Sequence, residues 1–317
     1  MGQLIRSSTT ISSVERGTTD VNYVYRGSTL VWQRASYFLD QTYATGSAAS
    51  FSLRRLSSTY SGPCVKIRRA SDNTTSDINF SGGLVDETAI STFCGASNGF
   101  VEIWYNQNGS PYHAIQTTTT RQPKIYDGTN GVEKLDGQPV IVCDGSNDCF
   151  QVSTFSYPAL HTHLMAGSSS TYFTEHGDGT GDKFYCYILG GSYVHATRTT
   201  KLEDGGVASF TGTGLKLITW QISGLTASTT PPVSATGGSL KVFENATERS
   251  LTYRSQANER ILANNNVVTK TLNIFSRNQS SLFSNGKFYE LHYFEYPKSY
   301  ADMASIRNDI NAYWTIY

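Results

Sequence analysis

His161 and His163 stand two residues apart, so on a strand they would share one face, a spacing that suits a metal. His176 and Asp178 follow, but no third and fourth ligand is evident at matching spacing. The run Asp144-Gly-Ser-Asn-Asp148 gathers oxygen ligands of the kind calcium prefers, and EHGDGTGD (175–182) offers Glu175, Asp178 and Asp182. The same residue types are what a tight turn needs sterically. The expectation is therefore no metal and no cofactor, with Asp144, Asp148 and Asp178 as the residues a calcium ion would use. No Gly-x-Ser-x-Gly elbow, P-loop or dinucleotide fingerprint occurs, and the Thr run at 117–120 reads as solvated strand or loop. Sugars bind by stacking an apolar ring face on Trp or Tyr while amides and carboxylates take the hydroxyls. Trp104, Tyr105, Asn106, Tyr112, Tyr172 and Tyr193 are the expected ligand-binding set, with Tyr253, Asn108 and Asp178 as further candidates.

The elements that must position these residues are mostly strands. The chain has 317 residues, 25 basic and 25 acidic, and only 16% are charged, against roughly 25% in an ordinary soluble domain. Aromatics make up 12%, led by 20 Tyr, with 28 Gly and 8 Pro. A disordered chain would lack these aromatics, and a helical bundle would be richer in Glu, Lys, Ala and Leu. Zero net charge leaves no electrostatic footprint for nucleic acid, and no apolar run is long enough for membrane insertion as a helix. The N-terminus MGQLIRSSTT lacks the pattern of a signal peptide. Five cysteines with no CxxC exclude a zinc ribbon. They read as reduced, mostly buried thiols, although Cys143 and Cys149 flank a turn and could pair across a hairpin.

Three units are expected. Residues 1–35 hold a hairpin, VNYVYRGSTLVW, too small to stand alone, so Val21, Tyr23, Tyr25, Leu30, Val31 and Trp32 should pack on another chain. Residues 36–135 contain SAASFSLRRLSS (helix or strand), the alternating strand CVKIRRA, a helix in VDETAISTFCG with Asp86 and Glu87 at its start, and the strand FVEIWYNQNGSP. Residues 136–317 repeat short strands: PVIVCDG, FYCYILG, YVHATRT, LKLITWQI, SLKVFEN, KTLNIFSR and KFYELHYFEY. Turn-rich segments separate them, including an exposed loop at 223–239. A final helix, SYADMASIRNDINAYWTIY, carries Ser299 and Asp302 as a near capping box and Met303, Ile306, Ile310, Tyr313 and Trp314 on one face. The fold class expected is mostly β: an antiparallel β-sandwich with an N-terminal hairpin and a C-terminal helix on its outside.

Tyr60–Gly62, Arg69–Asn73, Phe93–Cys94 and Tyr105–Gly109 resemble, in that order, the start of the arabinofuranosidase B catalytic domain. Similar segments occur in bacteriophage virion proteins joined to laminin-G-like (concanavalin-like) jelly rolls. PVIVCDGSNDCFQV, SLKVFEN and the stretch from Gly286 to Trp314 look like parts of such a jelly roll, and residues 1–33 resemble phage N-terminal hairpins. The arabinofuranosidase resemblance implies two carboxyl groups about 5 Å apart, one nucleophile and one acid/base. The family's acid stands in a Gly-Gly-Asp-Asn-Ser stretch ahead of a Gly-x-Phe-Tyr-Glu strand. That strand is kept as Gly286–Glu290, but FSRNQSSLFSN (275–285) has no Asp or Glu. The family's Cys-Cys pair and Gly-Asn-Ala-Glu segment have no match.

These departures lead to the expectation of a non-enzymatic virion protein of a tail, baseplate or fibre, located in the virion. It would form homo-oligomers, contact other virion proteins through residues 1–33 and adhere to host surface glycans through the sandwich loops. Two alternatives are an architectural capsid or head-fibre protein without ligand, and an active tail-associated glycosidase drawing on Glu102, Asp127, Glu175, Asp178 and Glu290.

Overall fold

The computed structural model describes residues 36–158, 160–177, 214–223, 241–250, 267 and 269–317 in full, together with the burial of Cys186 and Ile188. It describes strands within 5–33, 183–198 and 207–209 by their backbone. The elements that matter here are β1 (Tyr23–Arg26), β2 (Thr29–Gln33), β3 (Ser47–Ser52), β4 (Val65–Arg69), α1 (Glu87–Cys94), β5 (Gly99–Trp104), β6 (Ile141–Asp144), β7 (Phe150–Pro158), β8 (His161–His176), β9 (Lys183–Leu189), β10 (Leu215–Ile222), β11 (Leu240–Glu244), β12 (Val267–Ile274), β13 (Asn285–Phe294) and α2 (Tyr300–Trp314). The fold is mostly β and sandwich-like, as expected. SAASFSLRRLSS resolves into β3, a strand buried on both faces, because β13 covers one edge and helix and core cover its sides. β1 and β2 pair antiparallel from Tyr23↔Gln33 to Arg26↔Thr29. The side chains proposed for assembly there lie outside the described residues, as does the loop at 223–239.

β8 organises the sandwich. Its first half pairs with β10 and β13, and its second half with β9 and β12. One layer therefore runs β11–β10–β8–β13–β3, with β6 also on β13, and the other runs β7–β12–β8–β9. The crossover falls where the β8–β13 register shifts, at Ala166/Gly167 and Ser169/Thr171. Glycine is needed there on both strands. A Cβ on Gly167 would sit 2.4 Å from the Lys287 carbonyl oxygen, and one on Gly286 would sit 2.5 Å from that of Ser168.

The shift changes which residues face inward. Tyr157, His161, His163, Thr174, His176, Cys186, Leu272 and Tyr293 line one small internal cavity of about 20 Å³, room for roughly one water. His163 stacks between Tyr293 (4.3 Å) and Trp220 (5.2 Å), and its Nε2 accepts from the Tyr172 hydroxyl at 2.7 Å while Nδ1 faces the His292 carbonyl at 3.0 Å. His176 Nε2 bonds the Phe155 and Lys270 carbonyls. His161 and His163 thus share a face, as their spacing implies, but they serve the core. Among the described residues no group of three His, Cys, Asp or Glu side chains is arranged for a metal.

The outer face of the first layer is closed by α2 and the turns at 38–44. Ser299 caps α2 by accepting from the Asp302 N–H, and Met303, Ile306, Ile310 and Trp314 are buried while Tyr313 is 39% exposed. Trp314 stacks on Tyr289 at 4.4 Å. Arg54 ties the first layer to α2 through Glu290 (2.9 Å) and Asp309 (2.9 Å), with Ser52 donating to Glu290 at 2.8 Å and Tyr43 to Asp309 at 2.8 Å. Burial alone would raise the Glu290 carboxyl, but the Arg54 charge and the bonds from Arg54 and His292 outweigh it and hold the group well below the usual range. Asp86 caps α1 through the Ala89 N–H.

Two outcomes follow from this packing. Arg54→Ala leaves Glu290 buried without its cation, so chemical denaturation should show a loss of about 3–5 kcal/mol. Burial pushes His163 down to about 3 and His176 down to about 4 from 6.5. A histidine held neutral in the fold stabilises it above its unfolded pKa and loses that contribution as pH falls towards the folded value. Stability should therefore fall by about 1.4 kcal/mol per pH unit for each of the two between pH 6.5 and 4. His163→Phe should flatten that slope in urea titrations at stepped pH.

Candidate active site

Strand alternation sets the candidate site. Thr174 and His176 point into the sandwich, so Glu175 between them projects from the opposite, outer face of the second layer. Asn273 on β12 is its cross-strand partner, and Gln151 on β7 is Asn273's. The Gln151 amide donates to Asn273 Oδ1 at 3.1 Å, and Asn273 Nδ2 donates to the Gly177 carbonyl at 2.8 Å. Glu175 and Asn273 are fully buried. A row of amide, amide and carboxylate therefore crosses three strands on a face where a core would place apolar side chains. A buried carboxylate held beside oriented amides is the arrangement that stabilises positive charge developing on a bound substrate.

The segment 275–284 borders this face. Ser284 Oγ accepts from the Phe173 N–H at 2.9 Å, two residues from Glu175 on the same strand. Phe275, Asn278, Gln279 and Leu282 all have positive φ, at 68, 47, 52 and 52°. Phe275, Gln279 and Leu282 store backbone strain here at about 1–2 kcal/mol each, whereas asparagine adopts this region readily. The loop is held regardless: Phe275 stacks on Phe288 at 4.3 Å, Gln116 donates to Gln279 Oε1 at 3.3 Å, and Arg121 donates to the Gln279 carbonyl at 2.9 Å. This is where the resemblance puts the family's acid, and here the loop offers Arg277, Asn278 and Gln279 instead of a carboxylate.

The other carboxylates considered from sequence lie elsewhere. Glu290 is bound to Arg54 behind the first layer. Asp127 takes the Thr129 and Asn130 N–H groups and Lys124, and Glu102 is a half-buried residue on β5. Asp178 and Asp182 lie outside the described residues. In the Asp144–Asp148 turn, Asp144 Oδ1 accepts from the Ser146 N–H at 2.7 Å and Asp148 Oδ2 from the Asp144 N–H at 3.0 Å, so these oxygens serve the turn. Burial pushes the Asp148 carboxyl up to about 7, against that backbone bond. Cys143 and Cys149 are both free, buried thiols.

The expected sugar-stacking set does not assemble. Trp104 is 0% exposed, packed on Phe51 and Phe150, and Tyr172 is 1% exposed in the His163 stack, so both rings are core. Asn106 is fully buried, its Oδ1 taken by the Ser50 N–H and its Nδ2 by Ser110. Tyr105 bonds Asp77 and lies edge-on to His113, and Tyr112 packs on Phe155. The side chains of Tyr193 and Tyr253 lie outside the described residues. Gln151 and Asn273 were missed. The signal for Asn273 was present as the alternation Thr271, Leu272, Asn273, Ile274, which puts an amide on the face opposite the core.

Comparison with known proteins gives a consistent set of relatives. The family model described as Alpha-L-arabinofuranosidase B, catalytic, matches residues 40–166. Alpha-L-arabinofuranosidase B of Aspergillus kawachii (strain NBRC 4308) is 35% identical over 92 residues, covering 28% of this chain and 18% of that protein. The protein of the same name from Aspergillus niger is 37% identical over 83 residues, covering 26% and 16%. The chain thus spans under a fifth of the length of these curated relatives. A GH54 arabinofuranosidase soaked with a cyclic sulfate inhibitor superposes with a TM-score of 0.58 at 17% identity, covering 84% of this chain and 62% of that one. An arabinofuranosidase complexed with arabinofuranosyl-alpha-1,2-xylobiose gives 0.58 at 16% identity, covering 85% and 64%.

These findings correct the virion expectation. The matching proteins are arabinofuranosidases, not components of a tail, baseplate, fibre or capsid, so virion location and virion partners fall away; the family match begins at residue 40 and does not reach residues 1–35. They also overturn the expectation of a non-enzyme, which rested on one missing carboxylate, because the matching family model is that of a catalytic domain. The strained loop and the buried Asp148 have a measurable consequence at this end of the sandwich. An acid whose folded pKa is raised destabilises the fold once the pH exceeds its unfolded value. Asp148→Asn should therefore raise the thermal midpoint at pH 8 and change it little at pH 4.

Proposed function

We propose that this chain is a glycoside hydrolase acting on α-L-arabinofuranosyl groups, with the Glu175 carboxylate at its reaction centre. The observation that carries the reading is the row of half-buried Gln151 and fully buried Asn273 and Glu175 on the outer face of the second layer. The family match over residues 40–166 and the shared fold support it. The finer description of the sandwich as a laminin-G-like jelly roll belongs to the same proposal.

In such a reaction the glycosidic bond breaks through an oxocarbenium-like state. Glu175 would face the developing positive charge at the sugar carbon, and Asn273, fixed by Gln151 and Gly177, would hold the geometry beside it. A second carboxyl must protonate the departing oxygen. Loop 275–285 has none, and Asp178 and Asp182 follow Glu175 closely in the chain.

Leaving groups separate the two roles, because 4-nitrophenolate departs without a proton whereas a sugar alcohol does not. A related arabinofuranosidase variant has been soaked with 4-nitrophenyl α-L-arabinofuranoside, and that compound is the first assay. Glu175→Gln should lower its hydrolysis by at least about a thousandfold, with the circular dichroism unchanged. Asp178→Asn or Asp182→Asn, whichever removes the donor, should spare the aryl glycoside and abolish arabinose release from an arabino-oligosaccharide. An inactive wild type, or Glu175→Gln turning over at the wild-type rate, would overturn the reading.

A further inference from the structure

The structure contains a concave site formed by residues the Glu175 face does not use. A cleft of about 550 Å³ lies between the turns at 39–47, 57–62 and 107–109. None of its lining residues belongs to β7, β8 or β12. Two of the segments singled out from the sequence, Tyr60–Gly62 and Tyr105–Gly109, contribute to its walls.

Those walls are fixed by their own hydrogen bonds. Asp40 accepts from Ser57 Oγ at 2.9 Å and from the Ser58 N–H. Asn108 Nδ2 donates to the Ser47 and Ala48 carbonyls at 2.8 and 2.9 Å, and its Oδ1 takes the Ser110 N–H. The Tyr60 hydroxyl donates to the Pro63 carbonyl at 2.8 Å, and its ring lies edge-on to Phe80 at 6.3 Å. Gly62 permits that fold-back, since a Cβ there would stand 2.6 Å from the Tyr60 hydroxyl oxygen. Rigid walls of this kind reduce the ordering that binding would otherwise require.

The lining chemistry selects the ligand class. It consists of hydroxyls, amides, backbone at Gly46, Gly62 and Gly109, the Tyr60 ring, the single carboxylate Asp40, and the small apolar contribution of Leu39 and Ala44. No lysine or arginine lines it, so an anionic ligand finds no counter-charge, and little apolar surface is available for a lipid or drug-like molecule. Hydroxyl-rich, uncharged chains match both features.

We propose that this cleft is a carbohydrate site that takes a neutral, hydroxyl-rich sugar chain, separate from the Glu175 face and on the α2 side of the sandwich. Ser61 and Thr59 are exposed on the cleft wall, so Ser61→Trp and Thr59→Trp should fill it without touching the core.

Calorimetric titration of the full chain with xylohexaose tests the site, with a galacturonate hexamer as the charged control. Wild type should bind xylohexaose and not the galacturonate chain. Ser61→Trp, or Thr59→Trp should Ser61→Trp fail to fold, should weaken binding at least about tenfold. Either variant should leave hydrolysis of 4-nitrophenyl α-L-arabinofuranoside unchanged, and Glu175→Gln should do the reverse. Equal xylohexaose affinity in wild type and the tryptophan variants, tighter binding of the galacturonate chain, or no xylohexaose binding by wild type would overturn the cleft proposal. A wild type that binds xylohexaose but cleaves no arabinofuranoside would sink the catalytic reading and leave the cleft standing.

Discussion

The bend in β8 is the constraint on which the remaining architecture depends. One strand of 16 residues serves both layers, and it can do so only because Gly167 and Gly286 let two backbones approach within the reach of a methyl group. The register shifts at the bend reverse the side-chain parity. Odd-numbered His161 and His163 face the interior before it, and even-numbered Thr174 and His176 face the interior after it. That reversal sends Glu175 outward. Without the shift, a carboxylate would enter the core and an imidazole would leave it.

Polar groups taken out of water are accommodated in three different ways. The interior histidines are held neutral, each bonded to backbone carbonyls or a tyrosine hydroxyl, in a space too small for more than about one water. Glu290 remains charged because Arg54 meets it bidentately and continues to Asp309 on α2. Glu175 is buried beside amides on the opposite face of the sandwich from that ion pair. The first two arrangements pin layers and helix together. The third is set apart by the strained loop beside it and by a surrounding row of amides.

Much of the fold was legible in the sequence. Alternation in KTLNIFSR and KFYELHYFEY marked β12 and β13, and Ser299 with Asp302 marked the start of α2. SAASFSLRRLSS was ambiguous because both its faces are covered, which erases the period-2 signal. The site was far less legible. Aromatic residues suit sugar stacking by their chemistry, but Trp104 and Tyr172 are large apolar surfaces that the core claims first. Glu175 was read only as one member of a carboxylate pool, because its direction depends on a parity reversal fixed by contacts more than 100 residues apart. The absence of a carboxylate in 275–285 was read as loss of catalysis, although the family match covers the chain's earlier half, where that loop does not lie.

The central claim is that Glu175 meets the anomeric carbon of an arabinofuranosyl group. Incubating the full chain with an arabinofuranose-configured cyclic sulfate and mapping the adduct by peptide mass spectrometry tests it directly. The account predicts a single covalent sugar adduct on Glu175, with no labelling of Glu290. An adduct on a different carboxylate, or none under conditions that label a known arabinofuranosidase, would contradict it.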